Sequence, residues 1–305
     1  MSIATASATK RADKKIERQI ARSERAKAFR KENLASTLLA GYLPMVIALA
    51  LIVLPLAWMV FSSFKPASEI LTMNPSILPK ESTLENYAQV AERVPLGRLF
   101  LNSFFVTAIA AVIKVTLAIT SAYALVFINV PFKNIIFMAI LVALMVPPEA
   151  ALLPNYLTIA GAGGRNTLWG IILPGLGTAF GTFLLRQQNK TLPIELLEAA
   201  ELDGAGHWRK LWKIVVPVTT PTIATVALIT VVGEWNSFLW PLVITDSPDK
   251  MTLPVGLNLL QSIESETGSY GILMAGAVLV IAPIIVLFAF LQRYIVAGLT
   301  QGSVK

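Results

Sequence analysis

The sequence predicts an all-α integral membrane protein with six transmembrane helices, and three observations carry that prediction. Hydrophobic residues make up 55% of the 305, and only 14% are charged, where soluble domains carry about 25%. Mean hydropathy is accordingly high, at +0.67. The apolar residues gather into six runs, near positions 38–64, 102–128, 134–155, 168–185, 218–244 and 271–296, and a membrane helix needs about 20 such residues. A membrane β-barrel would instead require alternating ten-residue strands, which the sequence lacks.

The elements follow in order. Residues 1–37 form a basic tail with ten Lys or Arg between Lys10 and Lys31, against Asp13, Glu17, Glu24 and Glu32. Ile16, Ile20 and Phe29 give it a thin apolar side. Two readings fit: a helix lying on anionic lipid, or a solvated tail that fixes topology. The first apolar run starts too far in, and is too long, for a cleaved signal peptide. Pro44, Pro55, Pro147, Pro148 and Pro174 interrupt the runs; neighbouring helices or water satisfy backbone groups freed by such breaks.

An even number of spans puts both termini on one side. With the tail inside, inner segments hold 18 Lys or Arg and outer segments six, as the positive-inside rule requires. The prediction is a membrane protein with a cytoplasmic tail at 1–37, a membrane domain at 38–297 and a cytoplasmic C-terminal tail at 298–305. The larger outer loops, 65–98 and 246–270, read as turns with short helices. Neither can form a domain, so another chain is expected to meet the substrate in solution. The glycines of "GAGGRNT", 161–167, read as a flexible outer turn.

The densest charge cluster, "EAAELDGAGHWRKLWKIVVP" at 198–217, falls between the fourth and fifth runs and therefore inside. Pro193 suits a first helical turn. Glu195, Glu198 and Glu201 fall on one face of the helix that follows, with Leu196, Leu197 and Ala200 on another. Gly204 or Gly206 can supply a left-handed cap. Trp208, Leu211, Trp212 and Val215 then form an apolar stripe on a second helix, with Arg209, Lys210 and Lys213 off it. Pro217 and Pro221 mark the start of the fifth span. From physics alone, this is either a partner's grip or an ordinary amphipathic linker.

The spacing resolves the choice by resemblance. "EAA", three residues, Gly204, nine residues, Ile214, two residues and Pro217 resembles the EAA loop of bacterial ABC-importer permeases, with Val216 where leucine is usual. "GEWNSFLWPLVIT" (233–245), "TLPVGL" (252–257), "NSFFVTAIAAVIKVTLAITSAYALVF" (102–127) and "LQRYIVAGLTQGSVK" (291–305) resemble the carbohydrate-importer, MalG-like branch. The likeness runs from about Tyr42 to Lys305.

That resemblance implies a permease subunit of an ATP-driven, binding-protein-dependent sugar importer. It implies a second related permease, two ATP-binding subunits using ATP and Mg, an extracytoplasmic binding protein and surrounding membrane lipid. The EAA loop, about 190–217, would be the coupling helix seated in the ATPase. Glu198 would make polar contacts there, Ala199 and Ala200 would permit close packing, and Asp203 and Gly204 would form the turn. Ile214 and Pro217 would join the loop to the fifth span.

Other chemistries lack residues. The absence of cysteine removes disulfides and thiolate metal sites. One histidine, His207, is no basis for a metal site or a triad. The +7 net charge belongs to topology, so no nucleic-acid partner is expected. No phosphate-binding GxxxxGK[ST] loop occurs, so the chain is expected to bind no cofactor and to hydrolyse no ATP. The alternative is a gradient-driven transporter or channel using Lys114, Glu149 and Glu234, since intramembrane charges are costly and kept for function. For substrate contact, the aromatic and polar residues of the two proline-interrupted spans stand out: Glu149, Asn155, Tyr156, Glu234, Trp235, Asn236 and Trp240.

Overall fold

The computed structural model describes residues 37–70, 76–267 and 270–301. The basic tail with Ile16, Ile20 and Phe29, and the last four residues of the C-terminal tail, lie outside the described residues. Those described form helices α1 (Leu43–Ser63), α2 (Glu85–Arg93), α3 (Leu96–Phe127), α4 (Lys133–Leu144), α5 (Leu152–Gly161), α6 (Leu168–Ile172) and α7 (Ala179–Asn189). After these come α8 (Glu195–Leu202), α9 (His207–Trp235), α10 (Leu239–Ile244), α11 (Leu253–Thr267) and α12 (Tyr270–Gln301).

Among the described residues, four helices are long and apolar enough to cross a membrane: Ala40–Ser63, Leu96–Phe127, His207–Trp235 and Tyr270–Phe290. Two bent pairs bring the number to six if each is one span. Lys133–Leu144 and Pro148–Gly161 meet at 95°, and Leu168–Leu176 and Ala179–Asn189 at 43°. The third run, 134–155, is thus sharply broken at the two prolines expected to interrupt it. Pro147 and Pro148 remove two consecutive amide donors, and the chain passes from an extended Pro147 into a short 3-10 turn. In the fourth span the break falls at Gly177 and Thr178, after Pro174.

The fifth span also differs from expectation. It begins at His207 rather than 218 and ends at Trp235, with the separate helix α10 completing the expected run to 244. Pro217 and Pro221 do not separate loop from span. A π-helical turn at Leu211–Val215, in which the Val216 amide donates to the Leu211 carbonyl, carries the helix past Pro217. A single wide turn of this kind inserts one residue without ending the helix.

The chain divides into two compact units, Met1–Met59 and Val60–Lys305. In the first, α1 continues through Pro55. In the second, α3 is the axis, 32 residues or about 48 Å long. At its start, Leu99 packs with Val90 of α2, Trp235 of α9, Leu253 and Leu260 of α11, and Ile272 of α12. In its middle, Val106 meets Ile159, Ile171 and Ile244. At its end, Ala118, Ala122 and Tyr123 pack with Leu185 of α7, Leu197 of α8, and Leu211, Val215 and Val226 of α9.

Small residues permit this crowding, as is usual between membrane helices. A Cβ on Gly181 would sit 3.0 Å from both Ala118 and Val226, and one on Gly256 would overlap the Leu99 side chain. Asn102 donates to the carbonyls of Asp249 and Met251, and the Leu253 amide donates to Ser103. The start of α11 is thereby fastened to α3.

Candidate functional site

The segment between the fourth and fifth spans is built as two helices around one glycine. The α8 helix ends at Gly204, whose φ is +76°. The Gly204 amide donates to the Glu201 carbonyl, and the Ala205 amide to the Ala200 carbonyl. These two bonds define a Schellman cap, which satisfies carbonyls a helix end leaves open. Gly206, the other candidate, is extended at φ −71°, ψ 170° and opens the next helix.

The segment's inner side is fixed. Leu197 and Ala200 of α8 and Leu211 and Val215 of α9 are buried, and Ile214 packs against the same cluster. The expected stripe of Trp208, Leu211, Trp212 and Val215 is therefore divided: Trp208 is 69% exposed and Trp212 42%. The π turn shifts the helix register between them.

Two polar contacts complete the mounting. The buried Lys210 ammonium donates to Glu201 across the turn at 2.6 Å. Tyr123 of α3 shares a hydrogen bond of 3.2 Å with His207 Nδ1. The Lys210 hydrogen bond and charge hold the Glu201 carboxyl below the usual carboxylate range, with His207 adding to the effect. A depressed carboxylate stabilises the fold above its unfolded-state pKa, and that contribution disappears only as pH falls through the lowered value.

The outer side is open. Glu195, Glu198, Ala199, Asp203 and Pro217 are exposed, as are Ile194 (57%), Leu196 (47%) and Leu202 (91%). Large apolar side chains on so short a helix mark a surface that meets another.

The residues considered for substrate contact separate into several places. Tyr156 and Trp240 pack against the Val106 cluster, and the Trp240 indole donates to the carbonyls of Gly170 and Ile171. Trp235 is buried, 6% exposed, in a different cluster and donates to Val280. Asn236 donates to the Val232 carbonyl one turn back. Glu149 is exposed beside Pro148, and Asn155 is half-buried on α5. Glu234 forms an ion pair with Lys114 of α3, each side chain less than a fifth exposed. Two of the three intramembrane charges are thus paired with each other.

The turn at 161–167 is exposed over 161–163, where a Cβ on Gly161 or Gly163 would meet nothing within 4 Å, and packed from Gly164 on. A Cβ on Gly164 would lie 2.5 Å from Ile159, and one on Gly170 would overlap the Gly164 carbonyl. Arg165 holds Asp246 through two bonds of 2.9 Å, and the Asn166 side chain accepts from the amides of Asp246 and Ser247.

Sequence reasoning missed Arg186, Tyr123 and Lys210, all buried. Arg186 lies 3.7 Å over the Phe137 ring, and its Nε has no hydrogen-bond partner among the described residues. A base inside an apolar stretch was the available signal. Among the described residues no group of three or more His, Cys, Asp or Glu could hold a metal.

Comparison with known proteins identifies the setting. The family described as "Binding-protein-dependent transport system inner membrane component" matches residues 114–301. The chain belongs to this family. A permease protein of an arabinooligosaccharide transport system, AraQ of Halalkalibacterium halodurans, is 34% identical over 256 residues, spanning 83% of this chain and 91% of AraQ. The sn-glycerol-3-phosphate transport permease UgpE of Brucella suis is 33% identical over 270 residues, spanning 86% and 96%.

A chain from the crystal structure of a bacterial ABC transporter that imports the acidic polysaccharide alginate shares the fold. Its TM-score is 0.73 at 22% identity, covering 88% of this chain and 97% of that one. The chain is therefore a multi-pass membrane transport permease and not an enzyme.

Proposed function

We propose that the chain is one permease subunit of an ATP-driven, binding-protein-dependent sugar importer in a bacterial cytoplasmic membrane, with both termini cytoplasmic. It forms half of the translocation path beside a second, related permease. Two ATP-binding subunits, which use ATP and Mg, sit against its cytoplasmic face, and an extracytoplasmic protein delivers the sugar. The relatives carry the substrate class: their names specify arabinooligosaccharides and glycerol 3-phosphate. The alginate importer has been crystallised with a substrate-bound periplasmic protein, which supports the delivery partner.

The mounting of α8 carries the mechanism. Its inner face is locked to the second, fourth and fifth spans through Leu197 and Leu211, while Leu196, Glu198 and Leu202 are presented outward. In this reading residues 190–217 are the EAA loop. Glu198, Ala199 and Ala200 face or support the ATPase contact, and Asp203 and Gly204 make the turn. Ile214 and Pro217 pass displacement into α9. The gradient-driven alternative loses support because Lys114 and Glu234 neutralise each other.

A mild-detergent pull-down of the tagged chain from native membranes tests the assembly. The expected companions are an ATPase with a phosphate-binding loop and a second permease. Recovery of the chain alone, under conditions that preserve comparable complexes, overturns the reading.

A further inference from the structure

A cavity of about 680 Å³ opens where the fourth span bends, between α3, α4 and α7. That volume lies within the range of small-molecule sites. Thr120 and Ser121 of α3 and Thr178 and Thr182 at the bend line it amid apolar side chains, Leu117 and Ile140 among them, that make up most of the wall. The hydroxyls form a linked set. Ser121 and Thr182 are hydrogen-bonded at 2.8 Å, and Thr182 donates to the Thr178 carbonyl. Thr120 donates to the Thr116 carbonyl.

A hydroxyl has one hydrogen to give and two lone pairs to receive with. Each of these three hydroxyls therefore keeps acceptor capacity. The Thr178 hydroxyl makes no hydrogen bond among the described residues, so it offers a donor too. No charged side chain lines the space. Lys114, whose ammonium would lie 3.6 Å from a Cβ on Gly175, is neutralised by Glu234. Arg186, one turn beyond Thr182, is buried over Phe137 and does not reach the cavity.

We infer that this bend is a subsite for a neutral, hydroxyl-rich saccharide in transit. Acceptors without a cation suit sugar hydroxyls. A phosphate or uronate group would demand a charged or multiply donating partner. The break in the helix supplies the room, because Gly177 carries no side chain and the backbone turns away there. The inference rests on the importer reading above and narrows its substrate class: it sets this chain with the neutral-oligosaccharide relatives rather than the phosphate-ester ones.

The chain has no cysteine, so a single Thr178→Cys variant in the assembled complex reports one position on this subunit. The complex is reconstituted with its binding protein and treated with a membrane-impermeant thiol reagent. Arabinotriose or glycerol 3-phosphate is added under ATP turnover. The introduced thiol is expected to react, and saturating arabinotriose to slow the reaction several-fold by occupying the space beside it, with glycerol 3-phosphate inert. Ser121→Cys, across the cavity, gives the same pattern and covers the case in which the first variant fails to assemble.

Two outcomes overturn the subsite: no labelling at either position in any nucleotide state, or labelling indifferent to a neutral sugar that stimulates ATP hydrolysis. If glycerol 3-phosphate alone stimulates hydrolysis, the neutral-sugar inference falls while the importer reading stands. A chain that copurifies with no ATPase overturns both.

Discussion

Gly204 occupies a backbone conformation that costs a residue with a Cβ about 1–2 kcal/mol, yet a Cβ there would meet nothing within 4 Å. Conformation, not space, is therefore what selects glycine, and the two separate experimentally. Gly204→Val should insert and assemble but hydrolyse ATP with sugar uptake reduced at least about tenfold, since a strained cap releases α8 from its orientation. Gly204→Asn should retain most uptake, because asparagine tolerates the left-handed region. Parallel ATPase and uptake assays in proteoliposomes measure both. Wild-type uptake by the valine variant would remove the turn from the mechanism. This cap was legible in the sequence because it is local chemistry. The choice between Gly204 and Gly206 was not, since it depends on where α9 begins.

At the scale of elements, the ion pair between Lys114 and Glu234 joins α3 to α9 inside the membrane domain. Removing one partner strands a charge and costs about 3–5 kcal/mol, whereas removing both costs far less. Lys114→Met or Glu234→Leu alone should lower the melting temperature of the purified complex, and the double variant should recover most of the loss. A double-variant loss equal to the sum of the two single losses would show the pair carries no coupling. Such pairing, 120 residues apart in sequence, leaves no mark in hydropathy, so both residues read as solitary charges. The spans themselves were readable because apolar length is a direct physical requirement of the bilayer. Their ends were less so. Pro217 reads as a boundary until the π turn before it carries the helix past, whereas the break at Pro147 and Pro148 is written in their missing amides and only its angle of 95° is not.

For the whole molecule, the turn at Arg165 and Asn166 ties the end of the third span to the loop after α10, some 80 residues away. Asn102 and Ser103 fasten the far end of that same loop to α3. The Arg165–Asp246 pair is about half exposed on both sides, and exposed pairs contribute about 0–1 kcal/mol. Asn166 instead satisfies backbone amides from a left-handed backbone. Limited proteolysis within 245–252 should accordingly accelerate more in Asn166→Val than in Arg165→Ala. The reverse order would make charge, not backbone capping, the fastening.

The unbroken course of α9 has a mechanical consequence. Its 29 residues form a rod about 43 Å long, with one end in the turn beside Gly204 and the other at Trp235. A tilt of about 10° about one end sweeps the other through about 7 Å. The π turn and two prolines leave the portion nearest Gly204 with the fewest backbone bonds, so compliance is concentrated there while the remainder stays stiff. A displacement entering at His207 would be taken up first in this portion, and what passes it would move the stiff remainder, packed against α3, as one body.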